Sequence, residues 1–249
     1  MAFWAKLKST LSRAWVDRTR LKVADHEKIF FFIKDEGLEI KKLTVQNISV
    51  GGIGLLASEF PNADLSRNIE AEMRIVSHAR IENIPQSSTF KISATVVHIT
   101  ATTLGLRFST VSPELEFALE QYFKAELLGT RLNLVDKKFL KAENDILPIW
   151  LTDGRANEIY ILADKSGIIN FHLGFLGHYI EGEKGKKLRV GQITESSDSE
   201  RMNRYKGSEL IDMNPQAEET SIRLARDFVT NAHGIEPLIL EELLSMLKA

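Results

Sequence analysis

Apolar and polar residues alternate along several short stretches of the first half of the chain, as in half-buried β-strands. In the clearest stretch, apolar residues occupy every second position between charged neighbours: Ile69, Ala71, Met73 and Ile75. Other short apolar runs begin near positions 29, 38, 52, 90 and 104. The run from position 38 changes phase near Lys41 and Lys42, which indicates one strand with a bulge. Five or six short strands at this spacing predict a small antiparallel β-barrel.

Helical periodicity appears on both sides of this predicted barrel. Residues 2–16 form a basic amphipathic pattern in which large apolar side chains recur every three or four positions, at Phe3, Leu7, Leu11 and Trp15. A second helix is predicted to begin after Ser112, with serine as the N-cap and Pro113 at the first helical position. We expect this helix to close the barrel and to end at Gly129.

The second half of the chain has a mixed pattern and begins after a charged connector, residues 130–145. Strands are predicted over residues 149–151, 158–162 and 168–171, because these apolar runs are separated by glycine-containing turns. A polar segment, residues 195–209, is predicted to be a flexible loop. Helices are predicted over residues 218–230 and after Pro237. Residues 140–249 are therefore predicted to form an α+β domain.

Composition narrows the possible functions of the chain. A net charge of −2 over 249 residues gives no general attraction to nucleic acid or anionic lipid. The sequence contains no cysteine, which excludes disulfides, thiolate metal sites and a cysteine nucleophile, and which suits a reducing cytosol. It has neither a run of 18 apolar residues nor the apolar core of a secretory signal. We therefore expect a cytoplasmic protein.

One short motif stands out between the second and third predicted strands. It has the form Asn-x-Ser-x-x-Gly and reads Asn47-Ile48-Ser49-Val50-Gly51-Gly52. A basic segment precedes it, Asp17-Arg18-Thr19-Arg20-Leu21-Lys22, and the barrel pattern ends with Gly105-Leu106-Arg107-Phe108. A basic arm, this motif and a barrel closed by a helix together resemble the PilZ domain, the bacterial receptor module for cyclic di-GMP.

The resemblance implies a fold, a ligand and a set of binding residues. The fold would be a small antiparallel six-stranded PilZ-like β-barrel with a closing helix at residues 17–129, followed by the α+β domain at 140–249. The family binds cyclic di-GMP through an Arg-x-x-x-Arg arm and the Asn/Asp-x-Ser-x-x-Gly motif, but here the second arm position holds lysine. The implied ligand-binding residues are Arg18, Arg20, Lys22, Asn47, Ser49, Gly51 and Gly52.

Each of these residue types suits the ligand. An arginine fork can contact guanine O6 and N7 together and can stack on the base, whereas lysine offers a point charge for a phosphate. Asn47 and Ser49 would hydrogen-bond the guanine edge or a phosphate. Gly52 would allow close backbone approach or a positive φ. A structural interpretation remains open, because Asn, Ser and Gly also stabilise ordinary turns.

The sequence therefore predicts a non-enzymatic cyclic di-GMP receptor, whose arm rearranges on binding and signals to the C-terminal domain or to a protein partner. By resemblance, the regulated process would be motility, attachment or exopolysaccharide secretion. The main alternative is a degenerate PilZ scaffold that no longer binds the nucleotide. An enzyme in the C-terminal half would need a polar pocket near His172, His178 and Asp153. A nucleic-acid binder is disfavoured because no aromatic stacking platform is evident.

Neither a cofactor nor a metal site is predicted, since the spacing of His172 and His178 is not a zinc pattern and no third ligand accompanies them. The helix over residues 2–16 has three interpretations. It could contact a membrane surface peripherally, pack on the C-terminal domain or a partner, or close one end of the barrel. We favour packing on protein, because one short helix with few basic residues is a weak membrane anchor.

Overall fold

The fold is taken from a computed structural model, which describes residues 19–34, 40–60, 64–77, 84–140, 146–194, 210–213 and 218–248. The chain divides into two compact units, Met1–Leu127 and Leu128–Ala249. Three predicted features lie outside the described residues: the helix over residues 2–16, Arg18, and the loop over residues 195–209.

Among its described residues, the N-terminal unit contains one antiparallel sheet of eight strands. In chain order they are β1 (Leu21–Lys22), β2 (Ile29–Lys34), β3 (Ile40–Leu43), β4 (Val45–Ser49), β5 (Gly52–Leu56), β6 (Asn68–Val76), β7 (Ser87–Ile99) and β8 (Thr103–Phe108). Their order across the sheet is β1-β4-β5-β8-β7-β6-β2-β3. The sheet curls into a half-barrel, so the prediction of a six-stranded barrel was wrong in strand number and closure.

One of the two additional strands is β1, which precedes the predicted strands, and the other has a local cause at Thr44. The stretch predicted as one strand with a bulge is divided there into β3, which pairs with β2, and β4, which pairs with β1 and β5. Glu59 holds this break, because its carboxylate accepts hydrogen bonds from the Thr44 amide (2.5 Å) and hydroxyl (2.7 Å). The phase slip in the sequence therefore marks a change of pairing partner.

The concave face of this sheet is filled by apolar side chains, and a helix covers it. The fully buried positions include Phe31, Leu55, Met73 and Phe123. Helix α1 (Pro113–Tyr122) begins as predicted, with the Ser112 hydroxyl accepting a hydrogen bond from the Leu115 amide at 3.2 Å. The chain then breaks at Phe123 and continues as α2 (Lys124–Thr130), so the predicted single helix is two.

A buried ion pair joins the start of β2 to α2. The Lys28 ammonium lies 2.5 Å from a Glu126 carboxylate oxygen, and the two side chains are 3% and 0% exposed. The same ammonium lies 4.8 Å from the centre of the Phe123 ring. Two opposite charges removed from water in this way stabilise each other only while both are present.

The described part of the C-terminal unit contains a seven-stranded antiparallel sheet with strands in the order β15-β14-β13-β12-β11-β10-β9. They are β9 (Asn133–Leu134), β10 (Leu147–Thr152), β11 (Glu158–Asp164), β12 (Gly167–Phe175), β13 (His178–Glu183), β14 (Arg189–Thr194) and β15 (Leu210–Met213). Helices α3 (Glu218–Thr230) and α4 (Pro237–Met246) pack on one face, where Phe228 stacks on Phe175 with centroids 4.9 Å apart. The strands predicted over residues 149–171 and both predicted helices are confirmed.

Candidate functional site

The arm is attached to the motif by strand pairing. Lys22 lies directly opposite Asn47, and Leu21 lies opposite Ile48. Leu21 and Ile48 are fully buried, and the Val23 amide donates to the Gln46 carbonyl at 3.0 Å. Since successive side chains of a strand point to opposite faces, burial of Leu21 directs Lys22 to the outer face of the sheet. The structure thus brings together one arm residue and one motif residue.

Asn47 lies in a row of residues that crosses five neighbouring strands on this outer face. The row runs Lys22, Asn47, Gly54, Gly105 and His98, each paired with the next. The Asn47 amide covers Gly54, because a Cβ on Gly54 would lie 2.5 Å from the amide nitrogen. A Cβ on Gly105 would lie 3.0 Å from the His98 Cβ. The two glycines therefore let the Asn47 amide and the His98 side chain lie close against the sheet.

The Ser49–Gly52 part of the motif forms the hairpin turn between β4 and β5. Ser49 pairs with Gly52, and its hydroxyl donates to the Gly52 carbonyl at 3.2 Å. Gly51 is exposed, and a Cβ there would meet nothing within 4 Å. The motif serine therefore makes the turn contact of the structural interpretation, while its oxygen lone pairs remain able to accept a further bond.

Gly52 is required for close packing between strands. The other explanation considered for this glycine, a positive φ, does not apply. Gly52 is described, and its φ is not positive. Instead, a Cβ at this position would overlap the Leu106 carbonyl oxygen on β8. The close approach is thus between two strands of the sheet, and it brings Arg107 opposite Gly52.

Three residues of this surface were missed by sequence reasoning: Gly54, Gly105 and Arg107. Arg107 is exposed on the outer face, while its neighbours Leu106 and Phe108 are buried. A sequence signal existed, since glycine inside a predicted strand often marks a bulge or a close approach. Of the remaining predicted residues, Arg20 is exposed just before β1, and Arg18 lies outside the described residues.

The two histidines of the C-terminal unit do not share a site. His172 pairs across the sheet with Glu181, whereas His178 pairs with the buried Phe175, so the two imidazoles lie on opposite faces. The His172 Nε2 atom lies 3.3 Å from a Glu158 carboxylate oxygen. Strand histidines with half-buried side chains were the structural interpretation for this pair, and the structure agrees with it.

His178 is half-buried and contacts the helix that follows the sheet. Burial lowers the pKa of His178 below its ordinary value of 6.5. Its Nδ1 atom lies 3.0 Å from the hydroxyl oxygen of Ser221, which is 1% exposed. The contact therefore joins strand β13 to helix α3.

Asp153, the third residue considered for an enzyme site, stabilises its own loop. Partial burial raises its pKa, but hydrogen bonds from Asn157 and Arg155 outweigh this effect, so the pKa is lowered overall. Among the described residues, no group of three or more His, Asp or Glu side chains is arranged to hold a metal ion. Within the same residues, none of the helices has the length and apolar character needed to cross a membrane.

Comparison with known proteins identifies the N-terminal unit. Residues 26–125 match the family model of the PilZ domain. Among solved structures, the chain is similar to the PilZ domain with c-di-GMP of YcgR from Escherichia coli, at 18% identity over 43% of this chain and 87% of that one, with a TM-score of 0.31. It is also similar to the PilZ domain of CeSA from a cellulose-synthesizing bacterium, at 16% identity over 43% and 98% of the two chains, with a TM-score of 0.31.

A third similarity extends over more of the sequence. The Borreliella burgdorferi PlzA protein in complex with c-di-GMP is 12% identical over 90% of this chain and 98% of that one, with a TM-score of 0.30. No curated protein matches the chain. The assignment rests on the family model, whose match includes the motif and strands β2 to β8: residues 26–125 form a PilZ domain.

Proposed function

We propose that the N-terminal unit is a receptor for cyclic di-GMP, which binds on the outer face of β1, β4 and β5. The observation that supports this most strongly is the pairing of Lys22 with Asn47, next to the Ser49–Gly52 turn. This pairing places a cation, an amide and a hydroxyl along one face of a PilZ domain. In the proposal the boundaries are residues 17–129 for the receptor and 140–249 for the output domain.

The exposed groups suit the two chemical features of the ligand. Its two phosphates would be met by Arg20 and Lys22, because charge-assisted hydrogen bonds to phosphate are stronger than neutral ones. Asn47 can both donate to and accept from a base edge, and Gly54 leaves room for its amide on the sheet. Arg18 would contribute a fork and a stacking plane from the arm.

The proposed receptor performs no covalent chemistry, so its output is a change of arrangement. Binding would order the arm, and the arm would pass the change to residues 140–249 or to a protein partner that controls motility, attachment or exopolysaccharide secretion. The amphipathic segment that precedes the arm is proposed to contact protein, with peripheral membrane contact as the alternative. A ligand shifts such an equilibrium only by its difference in affinity for the two arrangements.

Calorimetric titration of the full chain with cyclic di-GMP tests the proposal. We expect micromolar or tighter binding, which Arg18→Ala should weaken by about 1–3 kcal/mol, the usual value of a bidentate guanine contact. Asn47→Ala and Lys22→Ala should also weaken it. Lys91→Ala, which removes an exposed lysine from β7, is the matched control and should bind like the parent.

The second candidate function is a PilZ scaffold that has lost its ligand. The observation that favours it is Lys22 at the position where the family has its second arginine. Absence of heat and of any change in hydrogen exchange at saturating cyclic di-GMP would support the scaffold and contradict the receptor. For a receptor limited by this lysine, Lys22→Arg should tighten binding, because it restores the fork.

A further inference from the structure

Arg107 lies on the same face as the proposed ligand site and next to its motif. It is paired with Gly52, which is itself paired with Ser49, so the three residues form one row across β8, β5 and β4. Neighbouring strands are about 4.8 Å apart, so Arg107 and Ser49 are separated by about 10 Å of sheet surface. Gly52 lies between them and presents no side chain.

The guanidinium of Arg107 is available for a ligand. No described residue makes a hydrogen bond or ion pair with its side chain. On β7, the neighbouring strand away from Gly52, Thr95 pairs with Arg107. The Thr95 hydroxyl donates to Asn68 at 2.9 Å and not to Arg107. The next residue of β8 on the same face is Gly105, which has no side chain that could cover the guanidinium.

Arg107 offers a guanidinium beside the site, whereas the second position of the arm holds Lys22. A guanidinium has two parallel N–H groups that match O6 and N7 of guanine, whereas the Lys22 ammonium can only act as a point charge. Adenine presents an amino donor in place of O6, which the same fork does not match. We propose that Arg107 reads a guanine edge of the ligand and so makes the site prefer guanine over adenine cyclic dinucleotides. This inference rests on the proposed receptor function.

The test compares two nucleotides on the full-length chain. Arg107→Lys keeps the charge and removes the fork, and Arg74→Lys is the matched control, since Arg74 is an exposed arginine on β6 of the same sheet. We expect Arg107→Lys to weaken cyclic di-GMP binding by about 5- to 150-fold and to narrow the preference over cyclic di-AMP by a similar factor. Arg74→Lys should change neither quantity.

Three results would overturn the inference, and each points to a different explanation. If the parent binds cyclic di-GMP and Arg107→Lys binds it equally well, the receptor stands and Arg107 is not a ligand contact. If Arg107→Lys and Arg107→Gln weaken both nucleotides by the same factor, Arg107 contacts a phosphate and does not select the base. If the parent binds neither nucleotide, the receptor function fails and the inference with it. Circular dichroism of each variant checks that the sheet is retained.

Discussion

Replacing Glu126 with glutamine should strongly destabilise the PilZ domain. The substitution keeps the shape of the side chain but removes the charge that neutralises Lys28, whose side chain is only 3% exposed. The ammonium would then be buried without the carboxylate that neutralises it, 4.8 Å from the centre of the Phe123 ring. Removing one partner of a buried pair costs about 3–5 kcal/mol. We expect a loss of this size in the free energy of unfolding of the N-terminal unit.

Hydrogen exchange measured by mass spectrometry suits this experiment, because it reports separately on the two units of the chain. A loss of about 3–5 kcal/mol should speed globally limited exchange in β2 and β6 by about a hundredfold to several thousandfold. Peptides from β11 and β12 belong to the other unit, so they provide an internal reference in the same sample.

Two further variants separate the buried charge from other causes. The double variant Lys28→Met with Glu126→Leu should recover most of the lost protection, because an apolar pair of similar volume replaces a buried ion pair at little cost. Glu183→Gln breaks the exposed pair with Lys186, whose side chains are 52% and 67% exposed, and should have little effect. The reasoning is refuted if Glu126→Gln is as mild as Glu183→Gln, or if the double variant is less stable than the single one.

The remaining predictions concern the motif and the C-terminal unit. Gly52→Ala should cost about 1–3 kcal/mol of stability, because its Cβ overlaps a backbone carbonyl, whereas Gly51→Ala should be nearly neutral; equal melting temperatures would contradict this. Gly54→Ala should displace the Asn47 amide and weaken cyclic di-GMP binding about tenfold with little loss of stability, and unchanged affinity in calorimetry would oppose it. The pKa of His178 is lowered in the folded chain, so the unfolded chain binds a proton at this imidazole at a higher pH than the folded chain does. The stability of the C-terminal unit should therefore fall as the pH drops below about 6.5. In His178→Gln, the unfolding free energy obtained from hydrogen exchange should depend less on pH over that range. A pH dependence identical to that of the parent would exclude His178 as the cause.

Local patterns predicted the features of this fold that depend on neighbouring residues. The alternation around Met73 marked β6, and Ser112 with Pro113 marked the start of α1, because capping and strand periodicity act over a few positions. The motif of Asn47 and Ser49 was also visible, since its residues are close in sequence. The pairing partners of the strands were not visible in the sequence, because they depend on which segments meet after folding.

The buried pair illustrates this limit. Lys28 and Glu126 are 98 positions apart, and nothing in the sequence around either residue separates it from an exposed charge. Gly54 and Gly105 belong to the same class of missed features. In the sequence, each glycine only weakens a predicted strand. The register places the two glycines side by side, Gly54 under the Asn47 amide and Gly105 beside His98.

Strand β1 should also oppose self-association of the chain. The curled sheet is open, so its outermost strands would present unpaired amides and carbonyls to other molecules. One outermost strand, β3, has exposed lysines at Lys41 and Lys42, which discourage pairing with another chain. The other is β1, only two residues long, and it covers β4 through Leu21 and Lys22. The segment proposed as the ligand arm therefore also covers an edge of the sheet. A chain that lacks residues 1–23 should tend to dimerise or aggregate through β4, even without nucleotide.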